Sequence, residues 1–181
     1  MRSNSGFSLI ELLVVVFIIG IMATVVSLTV DLGGTDSVNE ELQQQAEKLL
    51  EFSILAEDQA VLSGDPIGLV LIPPGSETTW RYTWQHYRGG AWRDLEAPFV
   101  IQGLSEGVEL AIDVEGEEVN FEPLEEDEVR LPTVVFYPGG EVTPFFLTLF
   151  DRTEIDVKQV LSSQRNGRVE WLDEEDLENW P

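Results

Sequence analysis

One carboxylate stands alone in an oily stretch. Glu11 is the only charged residue among the 24 from 7 to 30, FSLIELLVVVFIIGIMATVVSLTV. A carboxylate carried inside a membrane-crossing helix costs about 2.5–3.5 kcal/mol on insertion scales, so such an acid asks for a functional partner. The plainer use is a capping box, in which Ser8 and Glu11, three residues apart, satisfy each other's backbone amides at a helix start. Other chemistry finds little footing. His86 is the single histidine, on one strand face with Trp80, Tyr82 and Trp84, and no second ligand set is spaced to join it at a metal. Those aromatics read as core, with a partner-binding patch as the alternative. The acidic runs Glu125-Glu126-Asp127-Glu128 and Asp173-Glu174-Glu175-Asp176 lack the spaced acids and turn glycine of a calcium loop and read as solvated charge. No GxSxG, GxxxxGK[ST] or GxGxxG is present, so neither a catalytic site nor a cofactor is expected.

Glu11 must be positioned by a helix. At about 1.5 Å per residue, the apolar run reaches roughly 36 Å, more than a hydrocarbon core of about 30 Å. Before it the charges are Arg2 and the amino terminus, and after it Asp31 opens an acidic chain. That asymmetry keeps the N-terminus in the cytoplasm and the rest outside. A cleaved secretory signal would be shorter and end in a small-x-small site, which residues 23–26 do not offer.

The 181 residues carry a formal net charge of −24, from 34 acids and 10 bases. Such a surface repels phosphate backbones, which argues against nucleic acid as a partner. The absence of cysteine excludes disulfides and thiolate metal sites.

The run Gly6-Phe7-Ser8-Leu9-Ile10-Glu11-Leu12-Leu13-Val14-Val15 resembles the class III signal of type IV pilins and type II secretion pseudopilins. The resemblance implies cleavage between Gly6 and Phe7 by a prepilin peptidase, N-methylation of Phe7, and pairing of Glu11 with the α-amine of Phe7 on a neighbouring subunit. Cutting there removes a leader but leaves the anchor. A proline common in the anchor helix of major pilins is absent, the first proline being Pro66.

Beyond the anchor, Gly33 and Gly34 predict an interruption in the segment 31–37. Leu42, Ala46, Leu49, Ser53, Ala56 and Ala60 then recur at spacings of three and four, predicting an amphipathic helix over 38–62 that Gly64-Asp65-Pro66 stops. After Pro66 the period changes. Runs at 67–72, 80–88, 108–114, 119–121, 133–137, 145–150, 155–161 and 168–172 predict an antiparallel sheet, with Gly89-Gly90 and Gly139-Gly140 as hairpin turns.

Within PTVVFYPGGEVTPFFLTL, residues 132–149, Phe136, Pro138, Gly140, Thr143 and Pro144 with alternating Phe145, Leu147 and Leu149 resemble a hairpin shared by the H-type minor pseudopilin of type II secretion and FimT-type minor pilins. The expected fold is α+β and pilin-like: a leader at 1–6, a transmembrane and filament-core helix at 7–30, a linker and amphipathic helix at 31–66, and a periplasmic β-rich head at 67–181. The resemblance implies a structural subunit at the tip of a type II secretion pseudopilus, held in the bacterial inner membrane. Its implied partners are the peptidase, other minor pseudopilins and the major pseudopilin. A FimT-like pilus subunit, and a single-pass anchored periplasmic binding module, are the alternatives.

Overall fold

The computed structural model describes residues 37–75, 77–121, 130–163 and 167–172. The expected leader, membrane span and most of the expected interruption lie outside them. Among the described residues no helix is long and apolar enough to cross a membrane.

The small-and-aliphatic stripe forms helix α1 over residues 37–63. Leu42, Ala46, Leu49, Ser53, Ala56 and Ala60 are all exposed by 1% or less. Ala and Ser let the sheets approach closely, and the Ser53 hydroxyl avoids an unmet donor by bonding to the Leu49 carbonyl at 2.8 Å. The helix ends where Gly64 turns left-handed (φ 72°) and donates its amide to the Ala60 carbonyl at 3.0 Å. Glycine takes that conformation without a Cβ penalty.

Two antiparallel sheets follow, where the sequence suggested one. The first holds β1 (Ile67–Ile72), β2 (Arg81–Arg88), β3 (Ala91–Asp94), β4 (Gln102–Gly103) and β7 (Val134–Phe136), in the order β3-β2-β1-β7 with β4 also on β2. The second holds β5 (Val108–Val114), β6 (Glu117–Glu118), β8 (Phe145–Asp151), β9 (Lys158–Ser163) and β10 (Glu170–Leu172), in the order β10-β9-β8-β5-β6. Helix α1 touches both. Lys48 bonds to Gln102 on β4 at 2.6 Å, and Gln159 on β9 bonds to Asn39 at 2.9 Å.

Among the departures from the sequence pattern, three have a clear local reason. The expected strand at 119–121 is replaced by Glu117–Glu118, because Glu115 and Gly116 both take positive φ (56° and 88°) and turn the chain back at once onto β5. Two successive positive-φ residues make the turn that suits the twist of a hairpin. The expected strand at 155–161 starts later, at Lys158, because the Asp151 carboxylate accepts the amides of Thr153 (2.7 Å) and Glu154 (3.1 Å) and holds a turn after β8. Gly89 and Gly90, at φ 65° and 84°, form the expected turn, but its returning strand β3 went unread.

The core contains Trp84, Tyr82 and Phe136, each 1% exposed or less. Tyr82 hides its hydroxyl with no hydrogen-bond partner among the described residues, and burial pushes the phenol from 10.0 up to about 12. The folded state thus prefers the neutral phenol, and the preference contributes fully below the ordinary value. It fades as pH climbs through the window between the two. We expect stability to fall by about 2–3 kcal/mol across that window, measured as a lower denaturant midpoint near pH 12 than near pH 9, with the decline reduced in Tyr82→Phe.

Candidate functional site

The family-like hairpin is the last of the segments that pass the chain from one sheet to the other. Val134, Val135 and Phe136 pair with β1, and the Phe136 ring lies 5.6 Å from Trp84 in the core. The turn is Tyr137-Pro138-Gly139-Gly140. Gly140 donates to the Tyr137 carbonyl at 3.0 Å, and Tyr137 donates to the Glu141 carbonyl at 2.8 Å. Pro138 presets the second residue of the turn, and Gly140 supplies the left-handed φ of 83° that a bulged three-residue hairpin requires.

The returning arm is brief. Phe136 and Val142 form an isolated bridge, and Thr143 finishes the pairing. The Thr143 amide donates to the Val135 carbonyl at 2.9 Å, while its hydroxyl accepts the Val135 amide at 3.2 Å and donates to the same carbonyl at 3.3 Å. Pro144 has no amide with which to extend that ladder. Its carbonyl instead accepts the Glu115 amide at 2.9 Å, and Phe145 takes register opposite Val114 in the second sheet. From there Phe145, Leu147 and Leu149 alternate into the core at 2%, 0% and 0% exposure. The second arm was expected to lie beside the first; proline at the junction sends it elsewhere.

A cross-sheet tie escaped the sequence reading. Trp80, just ahead of β2, donates its indole N–H to Glu109 Oε2 at 2.9 Å, and Arg152 Nε donates to Glu109 Oε1 at 2.8 Å. The carboxylate on β5 therefore joins the start of β2 in the first sheet to the end of β8 in the second. The three residues are far apart in the chain and each is ordinary by type, so no local signal marked them.

The remaining candidates separate. Trp80, Tyr82 and Trp84 are buried, at 7%, 1% and 0% exposure, which assigns them to the core. His86 is half-buried in β2, in register with Ile67 and Arg93, and no cluster of metal-ligating residues occurs among the described residues. Gly6, Phe7, Glu11 and the acidic runs at 125–128 and 173–176 lie outside the described residues.

The chain matches known proteins at both ends. Residues 1–27 match the prokaryotic N-terminal methylation motif, and residues 45–170 match the family described as type II transport protein GspH. It is 30% identical to type II secretion system protein H of Aeromonas hydrophila over 97% of each chain. To the protein of that name from Escherichia coli K12 it is 29% identical over 82% of each. Among solved structures, the minor pseudopilin EpsH of the Vibrio cholerae type 2 secretion system superposes with a TM-score of 0.60 at 25% identity, covering 75% of this chain and 95% of that one. The solution structure of E. coli GspH superposes at 0.56 and 21% identity, a likeness of fold, over 82% and 98%. The helix, the two sheets and the hairpin between them are thus those of a pilin-like α+β head, and the chain belongs to the type II transport protein GspH family.

Proposed function

We infer that this chain is a minor pseudopilin, a structural subunit of the periplasmic pseudopilus of a type II secretion system. The observation that carries the reading is the joining, in one chain, of a methylation motif at 1–27 to a GspH-type head at 45–170. The first supports processing and membrane anchoring. The second favours a secretion role over a FimT-like pilus role.

In this reading the prepilin peptidase cuts between Gly6 and Phe7, and Phe7 becomes the methylated amino terminus. Residues 7–30 anchor the subunit in the inner membrane and later enter the filament core, residues 31–66 connect them to the head, and residues 67–181 lie in the periplasm. Glu11 meets the α-amine of Phe7 on a neighbouring pseudopilin. The hairpin residues Phe136, Pro138, Gly140, Thr143 and Pro144 serve the head's architecture. The subunit is positioned near the filament tip and links other minor pseudopilins to the major one below.

Mass spectrometry of the protein recovered from cells that contain the secretion apparatus tests the proposal. The expected amino terminus is N-methyl-Phe7. A functional protein that retains residues 1–6 overturns the reading, and supports a simple anchored module instead.

A further inference from the structure

Helix α1 carries a second apolar face that no other element among the described residues covers. Ile54, Leu55, Val61 and Leu62 are 43%, 40%, 53% and 83% exposed. Advancing about 100° per residue, Val61 and Ile54 form one row and Leu55 and Leu62 another, on the side opposite the buried stripe. Between the rows run Glu47, Asp58 and Glu51, all exposed. Aliphatic side chains flanking a line of carboxylates suit neither bulk water nor a purely apolar partner.

We propose that this face docks a helical face of a different pseudopilin, one that lays a line of Lys or Arg into the acidic furrow while its aliphatic neighbours cover the two rows. The inference rests on the minor-pseudopilin reading. Charge decides against a second copy. The chain carries 34 acids against 10 bases. Four of its arginines, Arg81, Arg88, Arg152 and Arg168, are paired with its own Glu77, Asp65, Glu109 and Glu57. The single base on α1, Lys48, is turned to Gln102. Two such faces brought together would oppose acid to acid, and like-charge juxtaposition at an interface is strongly unfavourable. The face therefore both selects a basic neighbour and rejects its own kind.

The chain contains no cysteine, which makes single-thiol mapping clean. Ile54→Cys and Leu62→Cys, each in the full chain and in cells with the whole secretion apparatus, are labelled with a maleimide-benzophenone, whose irradiated ketone inserts into a C–H bond of whatever lies against it, and Ile155→Cys, exposed on the head, serves as the control. The expected result is a cross-link from positions 54 and 62 to another pseudopilin, sequenced through a peptide bearing Lys or Arg. Its yield should fall roughly tenfold when Glu51→Lys and Asp58→Lys are added, while Phe7 is still exposed and methylated. Adducts only between copies of this chain, adducts indifferent to the charge reversal, or none from a correctly processed protein, each overturn the inference and leave the proposed function standing. Retention of residues 1–6 overturns both.

Discussion

Glu11→Ala is expected to leave the subunit in the membrane and out of the filament. Removing the carboxylate eases insertion by about 2.5–3.5 kcal/mol, so the anchor itself does not suffer. What is lost is the proposed meeting with an α-amine. At an effective dielectric near 20 and about 4 Å, that attraction is of order 4 kcal/mol, comparable with the cost of carrying the acid, so the pair sets axial register more than it adds net stability. The loss falls on assembly alone, and a more than tenfold drop in filament-associated subunit is the expected scale. Fractionation should find the variant in the inner membrane at normal amount, and sheared or cross-linked filaments should lack it. Normal incorporation would remove the pairing from the account.

Gly68→Val should strongly destabilise the head. Gly68 sits within β1 on the sheet face away from α1, and a Cβ there would lie 2.4 Å from both Cβ and Cγ of Pro132 and 3.0 Å from Cζ3 of Trp92. A proline ring cannot swing aside, and the Thr133 amide next to it is tied to the Leu69 carbonyl at 2.8 Å. The strand must therefore shift or the cover must lift. Overpacking of this kind costs about 3 kcal/mol, which for a head of this size corresponds to a thermal midpoint lower by about 6–12 °C. Gly103→Ala is the control, since nothing lies within 4 Å of a Cβ there. Near-ultraviolet circular dichroism of the buried tryptophans reads both, and an unchanged midpoint in Gly68→Val would show that the cover is not fixed.

Much of the architecture was legible because it was written in local periods. The six-residue stripe of α1 repeats at helical spacing, and every member is buried, so a period alone sufficed. The strands β1, β2, β5 and β8 alternate or run apolar for long enough to be read. What stayed hidden depends on pairing partners. Strand β3 is Ala-Trp-Arg-Asp, with little apolar pattern, and it exists because the Gly89-Gly90 turn lays it against β2. Strand β6 is two glutamates, held by the turn at Glu115-Gly116 rather than by any propensity of its own. The division into two sheets was invisible for a similar reason. Nothing in the alternation of Phe145, Leu147 and Leu149 says which strand they join, and only the fate of the Pro144 carbonyl decides it. The hairpin residues were recognisable by type, while the Trp80-Glu109-Arg152 tie is made of distant residues and has no motif.

The closing strand of the first sheet arrives late. Ile67 pairs with Phe136 and Leu69 with Val134, so β1 lies open on that side until the ribosome has supplied all of β5 and β6 of the second sheet and reached β7. A nascent head therefore spends a stretch of its synthesis with a bare, Ile- and Leu-rich border, the kind of edge that recruits stray strands. A chain already tethered by its beginning meets fewer strangers during that wait. In the proposed function, anchoring through residues 7–30 before the head folds would keep this unfinished edge apart from its copies until residues 134–136 emerge to cover it.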